Sequence, residues 1–108
     1  MDGKLSPAKE REWIAIAARA VAELLEELAL TSCRKAAFRL KVNARTLSKL
    51  NPDHPGTGLK PETLDKILYR IEETFRYEKF DEQEINSMMS KARNEISLAF
   101  YGPFVPRY

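Results

Sequence analysis

Six cations, Arg34, Lys35, Arg39, Lys41, Arg45 and Lys49, fall between Leu28 and Pro52 with no acidic residue among them. Guanidinium and ammonium groups at this density attract phosphate, and Arg and Lys also donate to guanine O6 and N7. Interleaved with them, Asn43 offers an amide for adenine, Ala44 a methyl for thymine, and Thr46 and Ser48 offer hydroxyls. The remainder of the chain is balanced toward acid. Residues 1–30 hold four cations and six anions and residues 53–108 hold eight and ten, so the net charge of +2 arises entirely within the basic window.

Other chemistry finds few residues to work with. Cys33 is the sole cysteine, which excludes an intrachain disulfide and a thiolate zinc site, and His54 is the sole histidine. His54 stands in a Pro-rich stretch without a nucleophile or carboxylate partner, and no glycine-rich phosphate loop occurs. Cys33, flanked by Arg34 and Lys35, reads as a small helix-start residue rather than a redox sensor. The expectation is therefore no enzyme, no cofactor and no metal.

A chain of 108 residues with 44% apolar and 31% charged residues can bury one core unaided, so a single domain is expected. No apolar run is long enough for a membrane span, and MDGKLSPAKE lacks a signal-peptide core, which points to a cytoplasmic protein with no membrane partner.

The elements that must carry the cations are all helical. Ser6 as cap and Pro7 at the first position start a helix that runs to about Leu30, with Trp13, Ile14, Ala17, Ala20, Val21, Leu24, Leu25 and Leu28 at helical spacing. Its length exceeds what a compact five-helix DNA-binding domain needs, so part of it is expected to serve a partner. Thr31 and Ser32 cap a short helix through Leu40 that carries Ala36, Ala37 and Phe38, Lys41 and Val42 form a turn, and Asn43 caps a third helix to about Leu50. NPDHPGTGLK is a loop. A fourth helix spans Pro61 to about Arg76, and Phe80, Asp81, Glu84 and Ile85 combine a capping box with a hydrophobic staple to start a fifth. Its stripe, Ile85, Met88, Met89, Ala92, Ile96, Ala99 and Phe100, continues to Gly102, after which GPFVPRY reads as an extended aromatic arm. No strand alternation and no repeat occurs, so the fold class is all-α.

Between Ser32 and Leu50 the pattern meets the needs of a helix-turn-helix. Ala37 supplies the small residue at the close approach, Leu40 and Val42 flank the turn, and Leu47 and Leu50 face inward on the second helix. On these residues the segment resembles the lambda-repressor-like DNA-binding family. More narrowly, VNARTLSKLNPDHPGTGLKPETL is similar to temperate-phage regulatory proteins and to some antitoxins of addiction modules, phage or bacterial in either case. The likeness covers residues 28–76. It departs at Lys41, where the family has Gly in a left-handed turn.

The resemblance implies a DNA-binding regulator of transcription, a repressor or phage-type switch protein. Its recognition helix, Asn43 to Leu50, would lie in the major groove of double-stranded DNA, with Asn43, Ala44, Arg45, Thr46, Ser48 and Lys49 reading bases. Arg34, Lys35, Arg39, Lys41 and Lys60 would hold phosphates. The surplus apolar residues Trp13, Met88, Met89, Ile96, Phe100, Phe104 and Tyr108 are expected at a homodimer or partner interface. The alternative is an antitoxin or adaptor whose first helix and tail grip a protein such as polymerase or a cognate toxin.

Overall fold

The apolar periodicities fold as five α-helices in a computed structural model that describes residues 7–101. They are α1 (Pro7–Glu27), α2 (Cys33–Leu40), α3 (Ala44–Ser48), α4 (Pro61–Tyr77) and α5 (Glu82–Tyr101), with no strand among the described residues. Among these residues, no helix is long and apolar enough to cross a membrane.

The core is built by α1, α4 and α5 and closed by the two short helices. Trp13, Ile14, Ala17, Val21 and Leu24 of α1 meet Ile85, Met89, Ala92 and Ile96 of α5 and Leu64, Ile67, Ile71 and Phe75 of α4 in one buried cluster. The pairing of α1 with α5 is the most extensive in the molecule. Its alanines let the two helices approach, and Trp13 meets Phe100 edge to face with ring centroids 5.0 Å apart. Ala36, Ala37 and Leu40 of α2, Leu47 of α3, and Leu50 and Leu59 of the following segment fill the rest.

This packing corrects two expectations. The apolar face of α1, expected in part to serve a partner, is packed against α5 of the same chain. Trp13, Met89 and Ile96, expected at an interface, are buried in the chain's own core, while Met88 and Phe100 are half-buried against it. Phe104 and Tyr108 lie outside the described residues.

Helix starts follow the side chains that cap them. Ser32 Oγ accepts the Lys35 N–H at 3.4 Å, Asn43 Oδ1 accepts the Arg45 N–H at 2.8 Å, and Asp81 Oδ2 accepts the Gln83 N–H at 3.0 Å. The ends of α1, α2 and α4 follow a rule that carries no glycine. Ala29, Lys41 and Lys79 adopt the left-handed conformation, with φ of 59°, 58° and 66°. The next residue in each case donates back to the carbonyl five positions earlier: Leu30 to Leu25 at 2.8 Å, Val42 to Ala37 at 3.0 Å, and Phe80 to Phe75 at 3.0 Å. The same residue pairs are apolar, the side-chain contact that seals this type of cap. For Phe75 and Phe80 the ring centroids are 4.9 Å apart. The left-handed turn at Ala29 is why α1 stops at Glu27 and not near Leu30.

One charged network ties α4 to α5. Glu72 accepts from Arg76 at 2.7 Å and from Arg93 at 3.1 Å, and Arg76 also pairs with Glu82 at 2.9 Å. Burial alone would raise the Glu72 carboxyl. Hydrogen bonds and charge from Arg76 and Arg93 outweigh it and hold the group below its ordinary value.

Two outcomes follow for stability. A depressed folded-state value means that Glu72 stabilises the fold fully above the ordinary carboxylate range and loses that contribution as pH falls through the folded value. The wild-type thermal midpoint should thus drop more steeply than that of Glu72→Gln as pH falls below 4.5, and parallel curves would contradict the network's role. Replacing Ala29, Lys41 or Lys79 by Gly should stabilise the fold by about 0.5–1 kcal/mol per site, after deducting the freedom Gly adds to the unfolded chain. Urea denaturation measures this, and a loss at any site would contradict its backbone assignment.

Candidate nucleic-acid interface

Eight residues of α2 and five of α3 are too few to be stable alone, so their orientation is imposed by what they bury. With Ala36, Ala37 and Leu40 turned inward, α2 leaves Arg34, Lys35 and Phe38 exposed. With Leu47 and Leu50 turned inward, α3 leaves Asn43, Ala44, Arg45 and Ser48 exposed and Thr46 at the boundary. The left-handed Lys41 joins the two, and Cys33 Sγ donates to the Ala44 carbonyl at 3.7 Å across the junction.

The electrostatics of this surface differ from the rest of the molecule. Helices α1, α4 and α5 carry acids in their first turns, namely Glu10, Glu62, and Glu82 with Glu84, as the helix macrodipole favours. The first turns of α2 and α3 carry none. Arg34 and Lys35 open α2, so positive side chains stand at its positive end, whereas Arg45 falls in both the first and the last turn of the five-residue α3. Arg34, Lys35, Lys41, Arg45, Lys49 and Lys60 form no ion pair among the described residues. Each cation placed against the dipole costs about 0.3–1 kcal/mol, an arrangement that an incoming anion would relieve.

The expected reading residues are not equally free. Asn43 Oδ1 is engaged by the Arg45 N–H, which leaves its amide nitrogen as the clearer handle. Ser48 Oγ donates to the Arg45 carbonyl at 2.7 Å and so presents only lone pairs outward. Lys49 is half-buried, because its stem lies against the loop at Gly56, whose N–H donates to the Lys49 carbonyl at 2.9 Å. Arg45 and Ala44 remain exposed and unencumbered at the start of α3. Lys60 is exposed at the cap of α4, where it makes no side-chain capping bond.

Arg39 is held elsewhere. Its Nη2 donates to Glu78 Oε2 at 2.8 Å, and its guanidinium sits 4.9 Å from the centre of the Tyr77 ring. Sequence reasoning missed this pairing, since 39 positions separate the partners. Of Ala36, Ala37 and Phe38, which the sequence places on α2, the two alanines are buried, whereas Phe38 is 85% exposed. Its angular position could have revealed this: Ala36, Ala37 and Leu40 define the buried face, and Phe38 lies off it. Among the described residues, no group of three or more His, Cys, Asp or Glu side chains could hold a metal ion.

Comparison with known protein families, with curated proteins and with solved structures returned no significant match.

The Lys49 geometry makes a specific demand on Gly56. A Cβ there would lie 2.8 Å from Lys49 Cγ and 3.1 Å from its Cα, so the loop must move if any side chain is added. Gly56→Ala should destabilise the fold by about 1–3 kcal/mol, as overpacking commonly does, measured by urea denaturation. An unchanged midpoint would refute the close approach.

Proposed function

We propose that this chain is a sequence-specific duplex-DNA-binding regulator of the helix-turn-helix type, with α3 laid into the major groove and α2 across the phosphate backbone. The observation that supports it best is the set of unpaired cations on α2 and α3, with Arg34 and Lys35 at the α2 start where the macrodipole asks for acids and Arg45 exposed on α3, in a stretch of sequence free of acidic residues from Leu28 to Pro52. A solvated surface gains nothing from that arrangement. A polyanion would turn the cost into binding energy.

Within this reading, Arg45 is the principal base reader, with donor geometry suited to guanine, and Ala44 packs on a neighbouring thymine methyl. Arg34 and Lys35 fix position through phosphates, and Lys41 and Lys60 add charge at the flanks. Asn43 and Ser48 serve the helix first and the bases second. The chain acts by occupying its site, as a repressor or phage-type switch protein does, and a homodimer would present two α3 helices about 34 Å apart on one face of the duplex.

Selection of bound sequences from random duplex DNA tests the proposal. Wild type should enrich a short motif. Arg45→Ala should weaken binding to that motif by roughly tenfold or more while sparing binding to unrelated duplex. Arg34→Ala should weaken both alike and lower the salt slope by about 0.9. Enrichment of no motif, or a flat salt dependence, would overturn the reading.

A further inference from the structure

The contact between α2 and the end of α4 runs against local electrostatics in a way that the fold does not require. Glu78 is the C-terminal cap of α4, and a carboxylate at that end faces the negative pole of the helix. What holds it there is Arg39, at 2.8 Å, on a pair that is about a third to a half exposed on both sides. Exposed pairs of this kind stabilise folds little. The arrangement nevertheless has the parts of an anion site: a guanidinium oriented by the face of Tyr77, and Lys41 lining the same open groove of about 630 Å³. The other acid lining it, Glu73, is paired with Arg70 at 3.9 Å. Glu78 is thus the carboxylate seated on the cation that the sequence nominates for phosphate.

We propose that Arg39, Lys41 and Tyr77 form a phosphodiester subsite that Glu78 occupies in the free protein, so that Glu78 competes with DNA for Arg39. The subsite rests on the duplex-DNA reading. The chemistry is ion exchange: a phosphodiester oxygen replaces Glu78 Oε2 at the guanidinium, and the released carboxylate returns to water. Because the pair is weak, displacement is achievable by DNA. Because it exists, Arg39 contributes less to binding than its unpaired neighbours do.

Anisotropy titration of the full chain with a labelled random-sequence duplex, from about 50 to 200 mM salt, tests this. Glu78→Gln and Glu78→Ala should each tighten binding by up to about fivefold, the ceiling set by an exposed ion pair. Each should keep the wild-type salt slope, because the phosphate that displaces Glu78 in the wild-type complex is the one Arg39 contacts in the variants. The Ala variant covers the case in which a Gln amide still accepts from Arg39. Glu73→Gln removes the same charge from the same groove without freeing Arg39, and should tighten binding by less than either Glu78 variant does. Arg39→Gln should cancel the gain from Glu78→Ala in the double variant.

Wild-type affinity in both Glu78 variants, or a gain that survives in the double variant, would overturn the subsite while leaving the DNA reading intact. Absence of binding by wild type and every variant, with helicity preserved in circular dichroism, would overturn both.

Discussion

The geometry of the basic surface depends on one constraint: α2 and α3 cannot hold themselves, so Ala36, Ala37, Leu40, Leu47 and Leu50 must find a ready-made hydrophobic seat. That seat is built by α1, α4 and α5. The covering of α1 by α5, with Trp13 against Phe100, therefore helps build the seat on which the basic surface rests. The same dependence explains the cap at Lys41. A left-handed residue between the short helices sets their crossing, and the bond from Val42 to Ala37 fixes that turn at the point where the small Ala37 side chain permits close approach.

Charge is used in two ways in this molecule. Across α4 and α5, Glu72, Arg76, Glu82 and Arg93 satisfy one another, and the network helps fasten two long helices. Across α2 and α3 the cations other than Arg39 are left without carboxylates, and Arg34 and Lys35 stand at the helix end that least favours them. Such an arrangement lowers stability without serving the packing. Arg39 lies on the boundary between these two uses, since it belongs to the basic window by position and is tied by Glu78 to the neighbouring helix.

Much of this was legible in the sequence, and the reasons for the rest are physical. Helix starts at Ser32, Asn43 and Asp81 were readable because a capping side chain is chosen for its oxygen. Helix ends were less readable because Ala29, Lys41 and Lys79 stand where glycine would announce the turn, and the apolar pair that seals each cap is visible only once the backbone returns. Periodicity correctly gave α5 an apolar stripe. It could not say whether another chain or α1 covers that stripe, which is why Trp13, Met89 and Ile96 were assigned outward. Within the candidate site, residue types identified Arg45 and Arg34, but type alone cannot show that Asn43 and Ser48 are already hydrogen-bonded to α3 or that Lys49 lies under Gly56.

The central claim is that the exposed start of α3 enters a major groove. Dimethyl sulfate protection on a bound duplex tests it directly, because guanine N7 reports the major groove and adenine N3 the minor. The account predicts protection at guanine N7 that is lost with Arg45→Ala. Protection confined to adenine N3, or guanine protection indifferent to Arg45, would contradict it.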